Sequence, residues 1–381
     1  MKLKQSLVSV CLATGVMAMG AAHAVPDLPP AATDSDFYNN GNPDEGKVNL
    51  GKELFFDKIL SGNENMACAT CHHPDHGYTE FLDISIGVNG QGLSSSRRFK
   101  QPNTIPFVKR NSQSILNVAF NGIDVINRYN PERAPMFWDL RTESLESQAL
   151  EPIKALEEMR GDHFAEEYVL EEVINRLKAI PEYQDLFIEA FGADEEIDAN
   201  KIGKAIAAFE RTLVTTNSRF DQYMRGDRDA ISISEKEGFE IFKRAGCPNC
   251  HNGAMFSDFK PHVLSTPPND KLAAPDFGVD STFAFRTPTL RNLRFTAPYM
   301  HTGSLPTLKR VLEFYEDISF GKSQHPQVSK DEFDPLVEEL DLKVKDMAPI
   351  ISFLNTLNDS EFDRDIPERV PSGLPVGGNI D

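Results

Sequence analysis

Hydrophobic and polar residues recur along this chain mainly with the period of an α-helix. Apolar residues return every three or four positions from Glu166 to Ile180, where Pro181 stops the run, and again from Asp198 to Leu213. Strict alternation of apolar and polar residues, which marks half-buried strands, is sparse. The pattern therefore predicts a mainly α fold.

Two more helices are predicted from an apolar face that follows a capping residue. Ser234 and Glu237 match a capping box in front of the apolar positions of 239–242. Farther along, Thr307 can cap a helix in which positions 308, 311, 312 and 315 share one apolar face. Both helices lie in the C-terminal part of the chain.

An internal repeat divides the chain into two similar units. Gly51-Lys52-Glu53-Leu54-Phe55-Phe56 is echoed by Gly238-Phe239-Glu240-Ile241-Phe242, and each segment precedes a Cys-x-x-Cys-His sequence. The Gly-, Ser-, Asn- and Pro-rich stretch from Leu82 to Lys109 predicts a loop over the first of these sequences. The prolines and glycines after Asp359 predict a tail.

The cysteines indicate the chemistry of the chain. Two thiols three positions apart reach the two vinyl groups of one porphyrin as thioethers, and the histidine that follows falls on the iron. Zinc or thiol-redox chemistry is the alternative for one Cys-x-x-Cys, but two copies, each followed by His, leave no cysteine except Cys11. We expect two covalent haem c groups, one held by Cys68, Cys71 and His72 and the other by Cys247, Cys250 and His251.

The first residues predict export. Lys2 and Lys4 precede an apolar run from Leu7 to Met19 that ends in Ala22-His23-Ala24, the pattern of a cleaved signal peptide over residues 1–24. The run is too short to span a bilayer, and no other long apolar stretch follows. We expect a periplasmic protein without a membrane anchor.

The chain is acidic, with a net charge of −19. This charge argues against nucleic acid as a partner and favours a basic protein. Solubility after export is an equally good explanation of the acidity. The roughly 350 residues that remain after the signal suffice for two domains.

A second pair of echoes makes a resemblance specific. The segments 110–117 and 286–292 are similar, and they lead to Met136-Phe137-Trp138-Asp139 and to Pro298-Tyr299-Met300-His301. With Arg141, Gln148 and Pro152, these motifs identify the chain, from about residue 50 to 357, as similar to the bacterial dihaem cytochrome c peroxidase and MauG family.

The resemblance implies two cytochrome c-like haem domains in tandem with a calcium site between them. Residues 25–215 would form an N-terminal peroxidatic haem domain and residues 216–358 a C-terminal electron-transfer haem domain, followed by a tail over 359–381. The family's calcium ligands fall on the Asn111 side chain and the backbone carbonyls of Thr296 and Pro298. Oxygen ligands of this kind suit calcium.

One departure from the family concerns the first haem. In ordinary family peroxidases the loop after the first motif reads Ser-Ile-Gly-His, and its histidine caps the peroxidatic iron. Here Ser85-Ile86-Gly87 is followed by Val88, which cannot ligate. We expect an open or water-filled distal position. His163 is the alternative ligand, whereas His73 and His76 follow the proximal histidine too closely to reach the opposite face.

A second departure concerns the other haem. Ordinary members use a methionine fourteen residues after the histidine of Pro-Tyr-x-His, and from His301 this register leads to Tyr315, as in MauG. The alternatives are a core tyrosine, with Met300 or Met347 as the ligand. A phenolate favours oxidised iron and lowers its potential, whereas a thioether raises it.

Counting along the family pattern from Trp138 also assigns the residues of peroxide chemistry. Peroxide cleavage needs a group that moves a proton between the two oxygens, and the family's glutamate for this step falls on Glu158, with Glu157 as a one-residue alternative. Gln148 and Pro152 accompany it. The sole tryptophan, Trp138, would lie between the haems as an electron relay, with core packing as the alternative.

Three functions are compatible with these residues. The leading one is a MauG-like enzyme that reacts with hydrogen peroxide at the first haem and oxidises a partner protein through the second. The next is a peroxidase that reduces peroxide with electrons from a small cytochrome c or cupredoxin. The third, a non-enzymatic electron carrier, needs neither Glu158 nor an open iron.

Overall fold

The computed structural model of the protein describes residues 43–379. Helices account for 40% of the structure and strands are few, which confirms the mainly α prediction. None of the helices within this range has the length and apolar character needed to cross a bilayer. The predicted signal peptide, residues 1–24, lies outside the described residues.

The helices of the described range are α1 (Glu45–Phe56), α2 (Cys68–Cys71), α3 (Leu145–Gln148), α4 (Glu151–Lys154), α5 (Glu166–Lys178), α6 (Pro181–Phe191), α7 (Ala199–Arg211), α8 (Arg219–Met224), α9 (Ile233–Arg244), α10 (Leu308–Ser319) and α11 (Val344–Asn355). A π-helical turn, Leu156–Arg160, follows α4. The strands form antiparallel pairs: β1 (Gly90–Gln91) with β2 (Arg98–Phe99), β3 (Pro135–Met136) with β4 (Thr142–Glu143), and β5 (Pro261–Val263) with β6 (Ala284–Arg286).

Local sequence signals set several helix ends as predicted. Asp198 is the N-cap of α7, where its side chain accepts a hydrogen bond of 2.8 Å from the Lys201 backbone N–H. Thr307 caps α10 in the same way through the backbone N–H of Arg310. Pro181 does more than stop α5, because it is also the first residue of α6. The N–H group at this position has no partner within a helix, so proline can occupy it without loss of a hydrogen bond.

The capping box of α9 lies two residues earlier than predicted. Ser232, not Ser234, is the N-cap, and its hydroxyl accepts a hydrogen bond from the Glu235 backbone N–H. The Glu235 carboxylate accepts one of 2.8 Å from the Ser232 N–H. Arg219 binds the same carboxylate at 2.6 Å, a contact from outside the helix that the local pattern does not contain. The assignment to Ser234 and Glu237 is therefore wrong.

The internal repeat corresponds to two similar helix crossings. A Cβ atom on Gly51 in α1 would lie 1.9 Å from the carbonyl oxygen of Ala205 in α7. A Cβ atom on Gly238 in α9 would lie 2.1 Å from the carbonyl oxygen of Pro349 in α11. The matching glycines of the two repeats thus let two helix backbones approach closely in front of each cysteine motif.

The segment after Asp359 packs against the N-terminal part of the chain. Val370 and Val376 are buried in the same core cluster as Phe55. The Gly377 N–H donates a hydrogen bond of 2.8 Å to the Phe56 carbonyl oxygen. The prediction of a tail overlooked the apolar residues that lie among the prolines and glycines. Residues 359–379, the C-terminal segment, are part of the packed structure.

Candidate functional site

Both cysteine motifs line one cavity of about 650 Å³. Helix α2 contains both cysteines of the first motif, so His72 follows as the residue that ends the helix. In the second motif a 3₁₀ turn, Cys247–Asn249, brings the chain to His251. The motif residues on the cavity wall are Cys68, Cys71, His72, Cys247, Cys250 and His251.

The two motif histidines are prepared to bind iron. The Nδ1 atom of His72 lies 3.1 Å from the Tyr78 carbonyl oxygen, and that of His251 lies 3.0 Å from the Phe256 carbonyl oxygen. Each carbonyl accepts a hydrogen bond from Nδ1, so Nε2 is left to bind a metal. Burial lowers the pKa of both rings, which favours the neutral form that ligates. The four motif cysteines are free thiols, so the donor set fits two haem c groups.

The residues predicted for peroxide chemistry all line the cavity. Gln148 from α3, Pro152 from α4, and both Glu157 and Glu158 from the π-helical turn line it. Burial raises the pKa of Glu158 to about 7, against the lowering effect of Arg141. A carboxyl group with such a pKa can both accept and donate a proton near neutral pH.

Val88 lies in the core beside the cavity and does not line it. Its side chain is fully buried in the core cluster that includes Leu54 and Ile153, and it is not part of the cavity wall. Its backbone N–H donates a hydrogen bond of 3.1 Å to the carbonyl oxygen of Glu158. Ser85, earlier in the same loop, does line the cavity.

The alternative histidines lie outside the cavity wall. His163 is exposed. The Nε2 atom of His73 lies 2.8 Å from the Gly378 carbonyl oxygen in the C-terminal segment. The Nδ1 atom of His76 lies 2.7 Å from the Ser94 hydroxyl. The last two rings are thus held by partners other than a distal iron site.

Tyr315 and Met300 both line the cavity on the side of the second motif. Burial raises the pKa of Tyr315 above its ordinary value. A metal cation is the partner that would reverse this effect and favour the phenolate. Met347 is buried in a core cluster and is not part of the cavity wall.

Trp138 lies where the N-terminal and C-terminal parts of the chain meet. Its indole ring packs edge-on against the ring of His301, with 6.3 Å between the centroids. Its carbonyl oxygen accepts a hydrogen bond of 2.8 Å from the Arg286 N–H. His301 also stacks on Phe285 at 3.4 Å, and burial lowers the pKa of His301 to about 3. C-terminal residues therefore contact both the indole ring and the backbone of Trp138.

An ion-pair network reinforces this junction. The Arg110 guanidinium binds Asp139 at 2.8 Å and, in the C-terminal part, Asp276 at 2.5 Å. Arg141 binds the other oxygen of Asp139 at 2.8 Å.

The residues predicted as calcium ligands, Asn111, Thr296 and Pro298, line the cavity.

Two buried carboxyl groups in the first half were not identified from the sequence. Glu210 in α7 lines the cavity, is 5% exposed, and has a carboxylate oxygen without a hydrogen-bond partner. Burial raises the pKa of Glu210 to about 8. Glu80 accepts a hydrogen bond from Ser85, and burial raises its pKa to about 7. Acidic residues on a helix face that is otherwise apolar are the signal that could have revealed Glu210.

A buried histidine lies beside the second motif. The Nε2 atom of His262 is 3.0 Å from Asp258 and its Nδ1 atom is 2.6 Å from Asp334. Burial lowers the pKa of His262, but hydrogen bonds to Asp258, to the Cys250 sulfur and to a second carboxylate raise it to about 11. Ligand atoms of Cys250, Asp258 and His262 lie within 4.8 Å of one another. Because Cys250 belongs to the haem motif, we interpret this cluster as part of the haem surroundings.

Comparison with known proteins agrees with this geometry. A family model described as di-haem cytochrome c peroxidase matches residues 45–229. The methylamine utilization protein MauG of Methylorubrum extorquens is 34% identical over 82% of this chain and 78% of the relative. The cytochrome c551 peroxidase of Nitrosomonas europaea is 31% identical over 85% of this chain and 83% of the relative.

A solved structure has the same fold. The crystal structure of a MauG-like protein associated with microbial copper homeostasis matches with a TM-score of 0.66 and 26% identity, covering 87% of this chain and 93% of that one. Together with the relatives named MauG and cytochrome c551 peroxidase, these matches show that the chain is an enzyme of the dihaem cytochrome c peroxidase family.

Proposed function

We propose that this protein is a MauG-like peroxidase, which reacts with hydrogen peroxide at the first haem and oxidises a partner protein through the second. Membership of the family implies two haem c groups. Haem c bound at each motif would supply a redox-active iron. The chain's own residues would decide which iron meets peroxide and which one exchanges electrons with the partner.

The position of Val88 is the observation on which the proposal rests. The loop that carries a ligating histidine in ordinary family peroxidases here carries a valine, whose side chain is buried in the core. Its backbone N–H is hydrogen-bonded to the Glu158 carbonyl oxygen. This position of the loop therefore supplies no histidine to the cavity that His72 lines. A ferric enzyme of this kind is ready for peroxide without prior reduction.

Glu158 would move the proton. With a pKa of about 7, it is ionised in part of the molecules at neutral pH, so it can accept a proton from peroxide and return it to the departing oxygen. Gln148 and Pro152, on the same wall, would orient the substrate and limit the water around it. Arg141 stabilises the carboxylate form.

Tyr315 would hold the second haem in its oxidised state. A phenolate oxygen stabilises ferric iron more than a methionine sulfur does, which suits an iron that takes an oxidising equivalent from its partner haem. Trp138, held at the junction of the two parts of the chain, would carry electrons between the sites. The partner is a protein electron donor or protein substrate, met in the periplasm.

Calcium would be bound at the same junction. The Asn111 carboxamide donates a hydrogen bond of 2.7 Å to the Leu82 carbonyl oxygen, so its NH₂ group is engaged and its oxygen is the atom left for a cation. The carbonyl oxygens of Thr296 and Pro298 would add two more hard oxygens, and waters would complete the shell that calcium requires. The ion would add positive charge beside Trp138 and tie the two parts of the chain together.

Electron paramagnetic resonance of the ferric protein tests the proposal. We expect one high-spin haem and one low-spin haem, with no near-infrared band of methionine ligation. The high-spin signal should vanish on addition of stoichiometric peroxide without a reductant. Two low-spin signals at rest, or a ferric protein inert until it is reduced, would contradict the proposal.

A conventional peroxidase is the second candidate, because relatives named cytochrome c551 peroxidase match the chain as completely as MauG does. Steady-state oxidation of a reduced small cytochrome c or cupredoxin by peroxide distinguishes the two. Rapid turnover with such a donor would favour the second candidate.

A further inference from the structure

Arg97 is a buried cation whose hydrogen-bond donors are used mainly on backbone carbonyls. It is 4% exposed. Its guanidinium donates to the carbonyl oxygens of Ile86 at 2.5 Å, Gly87 at 2.7 Å and Gly92 at 2.8 Å. These acceptors begin and end one loop, residues 86–92, which we name the valine loop because it contains Val88.

The guanidinium fills the inside of the valine loop. A Cβ atom on Gly90 would lie 2.5 Å from one of the Arg97 nitrogens, so a side chain at this position would displace the guanidinium. The fourth hydrogen bond of the Arg97 guanidinium goes to the Met66 sulfur at 2.8 Å. Burial lowers the pKa of Arg97, while the negative charge of the nearby Glu80 raises it. All three guanidinium nitrogens thus donate to carbonyl oxygens of the valine loop, which holds the cation in its buried place.

The other side of the valine loop touches the backbone of the π-helical turn that carries Glu158. The Val88 N–H donates its 3.1 Å hydrogen bond to the Glu158 carbonyl oxygen. A Cβ atom on Gly87 would lie 2.0 Å from the Glu157 carbonyl oxygen and 2.5 Å from that of Glu158. Two backbones therefore meet without a side chain between them. Any movement of the valine loop moves or releases the Glu158 backbone.

We propose that Arg97 is a positioning residue for Glu158, acting through the valine loop. It holds the loop closed from inside, and the loop in turn fixes the residue that carries the proton. The inference rests on the proposed function, because it assigns Glu158 to the peroxide step. A planar guanidinium can satisfy three separated carbonyls at once, whereas a single ammonium cannot.

The neighbours of Arg97 offer matched variants. Arg97→Gln removes the charge and most of the donors, and Arg97→Lys keeps the charge but loses the fork of donors. Arg98→Gln is the control, because Arg98 is exposed and its guanidinium donates to the carbonyl oxygens of Ser95 and Arg97, outside the valine loop. Arg97→Lys also covers the case in which Arg97→Gln does not fold.

The first measurement is amide hydrogen exchange in the ferric holoprotein. We expect residues 86–92 to exchange at least ~10-fold faster in both Arg97 variants, because local opening becomes easier when buried carbonyls lose their donors. Arg98→Gln should match the wild type. Wild-type exchange rates in the Arg97 variants would overturn the inference.

The second measurement asks whether Glu158 itself has moved. The ferric first haem is followed by electron paramagnetic resonance against pH, with Glu158→Gln as the reference that lacks this titration. Arg141, Glu157, Glu151 and Arg110 also act on the Glu158 charge and are unchanged in these variants. We expect the pH midpoint of this titration to shift in Arg97→Gln and Arg97→Lys but not in Arg98→Gln.

The third measurement is the rate of the peroxide reaction, which we expect to fall by ~10- to 100-fold in the Arg97 variants, the usual cost of a misplaced catalytic group. A loosened loop with the wild-type midpoint and rate would reduce Arg97 to a structural residue and overturn the inference. The titration needs no peroxide. The wild-type protein could therefore prove inert to peroxide while the pH midpoint of the first haem still shifts in the Arg97 variants. That result would overturn the proposed function and support the positioning of Glu158.

Discussion

The indole N–H of Trp138 donates a hydrogen bond of 3.0 Å to the backbone carbonyl oxygen of Asn111. The Asn111 N–H donates one of 2.8 Å to the carbonyl oxygen of His301, whose ring faces the same indole. A short series of hydrogen bonds thus joins the sole tryptophan to the C-terminal part of the chain. The orientation of the indole depends on residues of both parts.

Trp138→Phe tests the relay role. The variant keeps an aromatic ring but loses the indole hydrogen bond, so the free energy of unfolding should fall by about 1 kcal/mol. Peroxide should still react at the first haem, while oxidation of the second haem slows. Stopped-flow spectra that separate the two haems measure both steps. Equal rates in the variant and the wild type would mean that Trp138 only packs.

Tyr315→Met tests the ligand of the second haem. We expect the potential of this haem to rise by on the order of 0.1 V or more, since axial ligands set haem potentials over a range of about 0.8 V. Met300→Leu is the control, because Met300 lines the same cavity and should not alter the potential. Spectroelectrochemical titration measures both. A large change in Met300→Leu alone would make Met300 the ligand.

The proton-transfer role of Glu158 predicts a pH dependence. A carboxylate accepts the peroxide proton, so the rate should rise with pH up to the Glu158 pKa of about 7 and then level off. Glu158→Gln should lower the rate by ~10²- to 10⁴-fold and remove this rise. Glu157→Gln is the neighbouring control. A larger loss in Glu157→Gln would shift the assignment by one residue.

Glu210 predicts a pH-dependent stability. In the unfolded chain this carboxyl group ionises near pH 4.5, whereas the fold favours its neutral form up to a pKa of about 8. The stability that it contributes is complete below pH 4.5 and is lost as the pH rises to 8. Glu210→Gln should therefore raise the stability of the holoprotein at pH 8 by ~1 to 3 kcal/mol and change little at pH 4. Thermal unfolding at the two pH values measures this difference, and equal shifts at both would contradict it.

Sequence reasoning worked where the signal is local. Asp198 and Thr307 cap their helices through a backbone N–H three residues ahead, so both could be assigned from a few neighbouring residues. The cysteine motifs are equally local. Their spacing alone predicts two groups of donors, and the structure brings both to one cavity.

Contacts between distant residues were not predictable in this way. The pairing of Ser232 with Glu235 in α9 is favoured by Arg219, which lies outside the helix. Arg97 has no local pattern that would distinguish it from Arg98, although one is buried and the other exposed. Its role depends on where the chain folds back, and single-sequence patterns do not contain that information.

The C-terminal segment also imposes an order on the assembly of the molecule. Gly377 lies so close to the residue before the first cysteine motif that a Cβ atom on it would be 2.3 Å from the Ala67 Cβ atom. Val370 and Val376 complete the core around Phe55. The N-terminal half therefore cannot reach its final packing until residues 370–377 have been synthesised, although the first cysteine motif leaves the ribosome about 300 residues earlier.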